Sequence, residues 1–203
     1  MTQQTNKKVL TVAITGASGA VYGVRFVQEL LRQGHTVHFV LTGAAWQVFH
    51  YELQLDTTDQ EKCLEKLFGG YKNFHYHTQQ DFSAPIASGS AKSDGMIIIP
   101  CSMGTLAKIA HGISSNLLER SADVVLKERR KLVIVPRETP LNSIHLENMK
   151  RLSDLGGLIV PAMPGFYHNP ESMDDMINFV VGKVLDQVDV DHNLFTRWGG
   201  GES

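Results

Sequence analysis

At 203 residues the chain is long enough for one domain with a sizeable buried core. Its 42% hydrophobic and 20% charged residues exclude a disordered or fibrous chain. A formal net charge of −2 offers nucleic acid or an anionic membrane no general attraction, so an anionic ligand has to be held by local groups.

The N-terminal MTQQTNKKVL has two lysines, but the apolar run behind them passes straight into Gly-Ala-Ser-Gly-Ala. That run is too short for a signal peptide or a membrane span. It predicts instead a first strand, VLTVAIT at 9–15, rich in valine and isoleucine and without polar alternation, as in parallel sheets covered on both faces. A helix is predicted over 21–33, with Val24, Val27, Leu30 and Leu31 on one face and Gly34 as its C-cap. HTVHFVLT at 35–42 alternates more and predicts a strand nearer an edge. His75 and His77 fall in what reads as a polar connection. Further buried strands are predicted at 95–101 (GMIIIPC), 131–136 (KLVIVP) and 157–162 (GLIVPA), and helices at 115–130 and 143–155. A last helix over 172–188 starts with Ser172, Asp174 and Asp175, residues that favour a helix N-terminus. The tail after about residue 190 is irregular and is expected to dock on a neighbouring subunit. Strands alternating with helices predict a doubly wound α/β parallel sheet in a single domain, 1–203, with no repeat or linker.

Open parallel sheets bind ligands beyond the carboxyl ends of their strands. The segments there are GASGA (16–20), TGAA (42–45), CSMGT (101–105), RETP (137–140) and MPGFYH (163–168). Glycines and hydroxyls after several strands suit an anion held by backbone N–H groups and helix N-termini. GASGA is neither GxGxxG nor a Walker loop, and read alone it is equally a plain tight turn. The second strand carries no acid for a ribose, which argues against NAD and for a mononucleotide phosphate.

Ser18 and Ser102 lie in no GxSxG elbow, so hydrogen bonding to a ligand suits them better than nucleophilic attack. Cys63 and Cys101 form no CxxC pair, and the nine scattered histidines build no cluster at metal spacing; both features fit a metal-free protein of the reducing cytoplasm. Arg120 and Lys127, seven apart, share a helical face that is either a phosphate clamp or a solvated surface, with Asp123 between them. Glu138, beside Arg137 after a buried strand, is either an acid/base whose pKa partial burial raises or half of an ion pair.

The strings GASGAVYG, SGSAKSDGMIIIPCSMGTLAKIAHGISSNLLERSADVVLKERRKLVIVPRETPLNSIHLENM, PAMPGFYHNP and RWG closely resemble the UbiX-like flavin prenyltransferases, collinearly over nearly the whole chain. The resemblance implies a flavodoxin-like or Rossmann-like sheet and an enzyme that joins a dimethylallyl group from dimethylallyl phosphate to reduced FMN without a metal. The product, prenylated FMN, would serve UbiD-like decarboxylases, including one of ubiquinone biosynthesis. The resemblance assigns FMN contacts to Gly16, Ala17, Ser18, Thr42, Ser102, Met103, Gly104, Thr105 and Arg137. It assigns the donor phosphate to Arg120, Lys127, Tyr167 and Lys183, with Glu52 in support. Ser18 and Glu138 would move protons near flavin N5, and Trp198 would enclose the prenyl group. It also implies a homo-oligomer, a dodecamer, with sites shared between subunits.

Cationic side chains can neutralise a departing phosphate where other prenyltransferases use magnesium. Two other functions fit the fold: a non-catalytic FMN carrier serving a decarboxylase, and a flavin-dependent cysteine decarboxylase. The latter family has a PxSANT-like segment where this chain has PCSMGT.

Overall fold

The computed structural model describes residues 7–198. Among them six strands form one parallel sheet: Val9–Ile14 (β1), Thr36–Leu41 (β2), Phe74–His77 (β3), Gly95–Cys101 (β4), Lys131–Pro136 (β5) and Leu158–Ile159 (β6). Their order is β3-β2-β1-β4-β5-β6, the Rossmann arrangement of the doubly wound class, in which the winding reverses between β1 and β4. Seven helices accompany them: Ala20–Arg32 (α1), Gly43–Leu53 (α2), Gln60–Phe68 (α3), Met103–Ala110 (α4), Leu117–Lys127 (α5), Ser143–Asp154 (α6) and Met173–Gln187 (α7).

All seven residues of β4 are buried, which is why its sequence carries no polar alternation and why it lies at the middle of the sheet. Side chains alternate between two cores. Val12, Ile14, Phe39, Ile97 and Ile99 pack under α1, α3 and α7, and Ala13, Val40, Ile98 and Ile134 under α4, α5 and α6. The expected stripe of α1 is buried, and Gly34, at φ +82, follows its cap Gln33. Gly23 lets α1 lie directly on the strands: a Cβ there would come within 2.3 Å of the Ile99 carbonyl oxygen and 2.4 Å of Ile14 Cδ1. Ser172 caps α7 in a capping box with Asp175.

Several expectations are corrected. Residues 74–77 are not a connection but the edge strand β3, paired to β2 from Val37↔Phe74 to Val40↔His77, so β2 lies one strand in. Its FHYH sequence hides it, because an edge strand with one half-covered face needs no apolar run. GLIVPA shrinks to the two residues of β6, with Val160 and Ala162 still donating to the carbonyls of Ile134 and Pro136. Helices α2, α3 and α4 were not predicted; α4 (MGTLAKIA) is too short and too apolar to show a helical period.

The described part of the tail packs on its own chain. Phe195 lies 5.0 Å from the Phe179 ring, and Arg197 pairs with Asp186 at 2.7 Å. Gly182 makes room for this return, since a Cβ there would meet His192 Cε1 at 2.5 Å and Phe195 Cε1 at 2.6 Å. Residues 199–203 of the predicted tail lie outside the described residues. Among the described residues no helix is long and apolar enough to cross a membrane.

Candidate active site at the reversal of the sheet

Three helix N-termini converge at the carboxyl edge around β1 and β4, and each is satisfied differently. Thr42 caps α2 by accepting from the Ala45 N–H at 3.2 Å. Ser102 caps α4 by accepting from the Thr105 N–H at 3.4 Å, and its hydroxyl lies 3.1 Å from that of Thr105. The Ser102 hydroxyl donates to that of Thr105, which leaves the Thr42 and Thr105 hydroxyls a proton to donate to an anion. At α1 the cap is Gly19, at φ +99, which has no side chain to offer. Glu52, from the end of α2, fills that role and accepts from the N–H groups of Gly19 and Ala20 at 2.8 and 3.1 Å.

The crevice floor is tied across the reversal. The β1–β4 ladder ends at Ala13↔Ile98. Beyond it the fully buried Thr15 takes over: its hydroxyl donates to the Pro100 carbonyl at 2.9 Å and accepts from the Ser102 N–H at 2.7 Å. From β5, Arg137 donates through Nε to the Ser18 carbonyl at 3.2 Å, joining the RETP segment to the GASGA turn. Tyr22, half-buried, sits close enough to the Arg137 charge to feel it, although burial is the stronger influence and raises its phenol pKa. Thus Gly16, Ala17, Ser18, Thr42, Ser102, Gly104, Thr105 and Arg137 gather at one edge of the sheet. Met103 belongs to the same turn, but its side chain is 6% exposed and packed into the core, which leaves only its backbone for a ligand.

A flavin phosphate fits this edge. Gly43 and Gly104 open α2 and α4, and a Cβ placed on either would meet nothing within 4 Å, so the space above both helix starts is free. Beside Arg137 lies a largely apolar groove of about 430 Å³, lined by Glu138, Leu141, Met149 and Met163 among others.

Glu138 is exposed, and its carboxylate accepts from the Thr139 N–H at 3.0 Å. The Arg137–Glu138 ion pair weighed from the sequence is not formed, because the guanidinium turns to Ser18 instead. Nor does this single chain supply the partial burial expected at the carboxylate.

The donor-phosphate residues divide into two sets. Tyr167 and Trp198 meet edge to face at 5.5 Å, and Tyr167 also abuts Phe179, four residues before the exposed Lys183 on α7. Arg120 and Lys127 lie on α5, on the opposite face of the sheet. Lys127 ends α5 just ahead of Lys131, at the start of β5, whereas Arg137 follows the end of that strand, roughly 20 Å along it. Arg120 is engaged by Asp123 at 2.8 Å and by the Ala87 carbonyl at 3.1 Å, and Lys127 by Glu128. The two sets do not meet in one chain.

A family model described as Flavoprotein matches residues 1–185. The flavin prenyltransferase UbiX of Alkalihalophilus pseudofirmus is 65% identical over 194 residues, 95% of this chain and 97% of that one.

The chain belongs to the UbiX flavin prenyltransferase family.

Two solved UbiX structures are similar throughout. AnUbiX in complex with FMN and dimethylallyl pyrophosphate superposes with a TM-score of 0.88 at 40% identity, covering 97% of this chain and 100% of that one. A dodecameric FMN-dependent UbiX-like decarboxylase from Escherichia coli O157:H7 gives a TM-score of 0.83 at 45% identity, covering 93% and 98%. Of the residues at this edge, Thr15 and Tyr22 were not singled out from the sequence; the one signal for Thr15 is a hydroxyl closing an otherwise apolar strand.

Proposed function

We propose that the chain is a metal-independent flavin prenyltransferase that joins a dimethylallyl group from dimethylallyl phosphate to reduced FMN, for delivery to a UbiD-like decarboxylase. The observation that carries this reading is the gathering of GASGA, Ser102–Thr105 and Arg137 at the sheet reversal. It does so in a chain 40% identical to a UbiX holding FMN and a dimethylallyl donor. Among the described residues no group of three or more His, Cys, Asp or Glu is arranged to hold a metal ion.

Thr42, Ser102 and Thr105 hold the FMN phosphate at two helix N-termini, where hydroxyls and N–H groups add to the dipole. Reduced flavin supplies the nucleophilic carbon and nitrogen that the allyl group joins. Glu138, with Ser18 as relay, takes the proton from N5 and passes one toward the departing phosphate. Tyr167 and Lys183 hold that phosphate, and Trp198 offers a π face to developing allylic charge.

Arg120 and Lys127 reach the donor from a neighbouring copy, because within one chain they lie across the sheet from Tyr167 and Lys183. The working form is therefore a homo-oligomer, as in the dodecameric relative, and contact with that neighbour is what would bury Glu138. The setting is cytoplasmic, in keeping with two free cysteines.

Mass spectrometry of bound flavin after anaerobic incubation with reduced FMN, dimethylallyl phosphate and EDTA tests the reading. The expected product is a flavin heavier by one prenyl unit. Unchanged FMN with both the mono- and diphosphate donors would instead make the protein a carrier.

A further inference from the structure

We propose that Thr15 is the positioning residue for FMN: its buried hydroxyl aims the N-terminus of α4 at the flavin phosphate. The inference rests on the reading above, in which Ser102–Thr105 hold that phosphate, and it concerns a residue that touches no ligand.

Three features carry it. First, the regular β1–β4 register ends at Ala13↔Ile98, beyond which the Thr15 N–H still donates to the Pro100 carbonyl at 3.2 Å, and the β4–β5 register becomes irregular between Ile98 and Cys101. The Ser102 N–H, which leads into the phosphate turn, is thus held by a side chain and not by a strand partner. Second, the Thr15 side chain extends that tie by one more residue, to Ser102. Its hydroxyl makes both bonds a hydroxyl can make along this segment, donating to Pro100 O at 2.9 Å and accepting from Ser102 N at 2.7 Å. Thr15 is 0% exposed, so no solvent replaces the bond to the Ser102 N–H once lost, whereas the Pro100 carbonyl keeps the Thr15 N–H. Third, Ser102 is the residue being held, and its own side chain caps α4 and contacts the Thr105 hydroxyl. A rotation of the Ser102 peptide turns the cap, the first N–H groups of α4 and Thr105 together. Threonine is suited to the site because its hydroxyl is both donor and acceptor; valine keeps its shape and removes both functions.

The experiment compares Thr15→Val, Thr15→Ser and Ser102→Ala by FMN titration, by melting with and without FMN, and by KM for FMN against kcat. Thr15→Val is expected to weaken FMN binding about tenfold, the cost of misaligning a hydrogen-bonded phosphate group. The FMN-induced rise in melting temperature should shrink in proportion. KM for FMN should rise while kcat at saturating FMN stays within about twofold of wild type. Thr15→Ser, which restores the hydroxyl, should return FMN affinity to within about threefold of wild type.

Wild-type FMN affinity in Thr15→Val, with weakened affinity in Ser102→Ala, overturns the proposal but leaves the phosphate site standing. Wild-type affinity in Ser102→Ala as well would overturn the phosphate reading itself. Should Thr15→Val fail to fold, Thr15→Cys provides the same comparison, since a thiol is only a weak donor and acceptor. Equal loss of melting temperature and FMN affinity in Thr15→Ser and Thr15→Val would mean that Thr15 serves packing alone, and would also overturn the proposal.

Discussion

Glu138 and Arg137 are neighbours in sequence with separate tasks in space. Arg137 reaches back to the Ser18 carbonyl, whereas Glu138 stands at the open rim with the Thr139 N–H as its one hydrogen-bond partner among the described residues. A carboxylate that stabilises nothing in the fold can be altered without unfolding it. Glu138→Gln is therefore expected to melt and to titrate FMN like wild type. Prenyl transfer, followed by single-turnover flavin spectra, should fall by about 10²–10⁴-fold, the usual loss when a general acid/base is removed. Turnover at the wild-type rate would dismiss Glu138 from proton transfer.

At the scale of elements, the returning tail sets Trp198 against Tyr167. It is held by Phe195 on Phe179, by Arg197 on Asp186, and by the space that Gly182 leaves on α7. Gly182→Ala pushes a methyl into the rings of His192 and Phe195, an overpacking that costs about 1–3 kcal/mol unless the tail lifts. Lifting is the cheaper response, because the tail adds no strand or helix to the cores. The expected result is lost prenyl transfer with FMN affinity retained, and faster proteolysis near residue 192. Trp198 is 83% exposed against 8% for Trp46, so acrylamide quenching reports mainly on Trp198 and should increase. An unchanged proteolysis pattern would mean that α7 shifts and the tail stays.

Legibility from sequence followed the physics of each element. β1, β4 and β5 were plain because strands covered on both faces must be apolar throughout. Helices α1, α5, α6 and α7 were visible through one-sided stripes or caps. β3 was not, since its pairing with β2 is a backbone matter that histidine and tyrosine neither favour nor oppose strongly. Of the site, GASGA, CSMGT and RETP could be placed at strand ends from the chain alone. Their grouping by ligand came from family likeness, because seven-residue spacing on α5 leaves a phosphate clamp and a solvated face indistinguishable. Glu52 as a cap for α1 could not be seen at all, because it depends on how α2 returns to the GASGA turn.

Over the whole molecule, the histidines of the β2–β3 edge set the response to acid. Burial first, and then His77 and His75, push His38 down to about 4. His77 is lowered as well, mainly by burial, with Asp81 at 3.8 Å opposing. A base whose pKa is depressed by folding binds its proton more readily when unfolded. Its contribution to stability is full above pH 6.5 and is lost as pH falls toward 4. With the ring half-buried, solvent screening leaves about 1–2 kcal/mol in that window. Melting temperatures at pH 7.5 and 5.0 should therefore converge in His38→Gln relative to wild type. An undiminished pH dependence would place the acid sensitivity elsewhere, with His35 next in line because it too is lowered by burial.

The two ends of the described chain leave from opposite ends of the sheet. Lys8 precedes β1 at the amino edge, and Trp198 rests against Tyr167, beyond the carboxyl edge. Lys8 therefore stands a strand's length from the carboxyl edge, whereas Trp198 stands beside Tyr167, where the proposed donor site lies. An affinity handle or fused fluorescent protein belongs at the N-terminal side. On the proposed reading, the same handle on the other side would compete with the prenyl donor and leave the flavin's phosphate grip intact, so a preparation would be yellow with FMN and still slow.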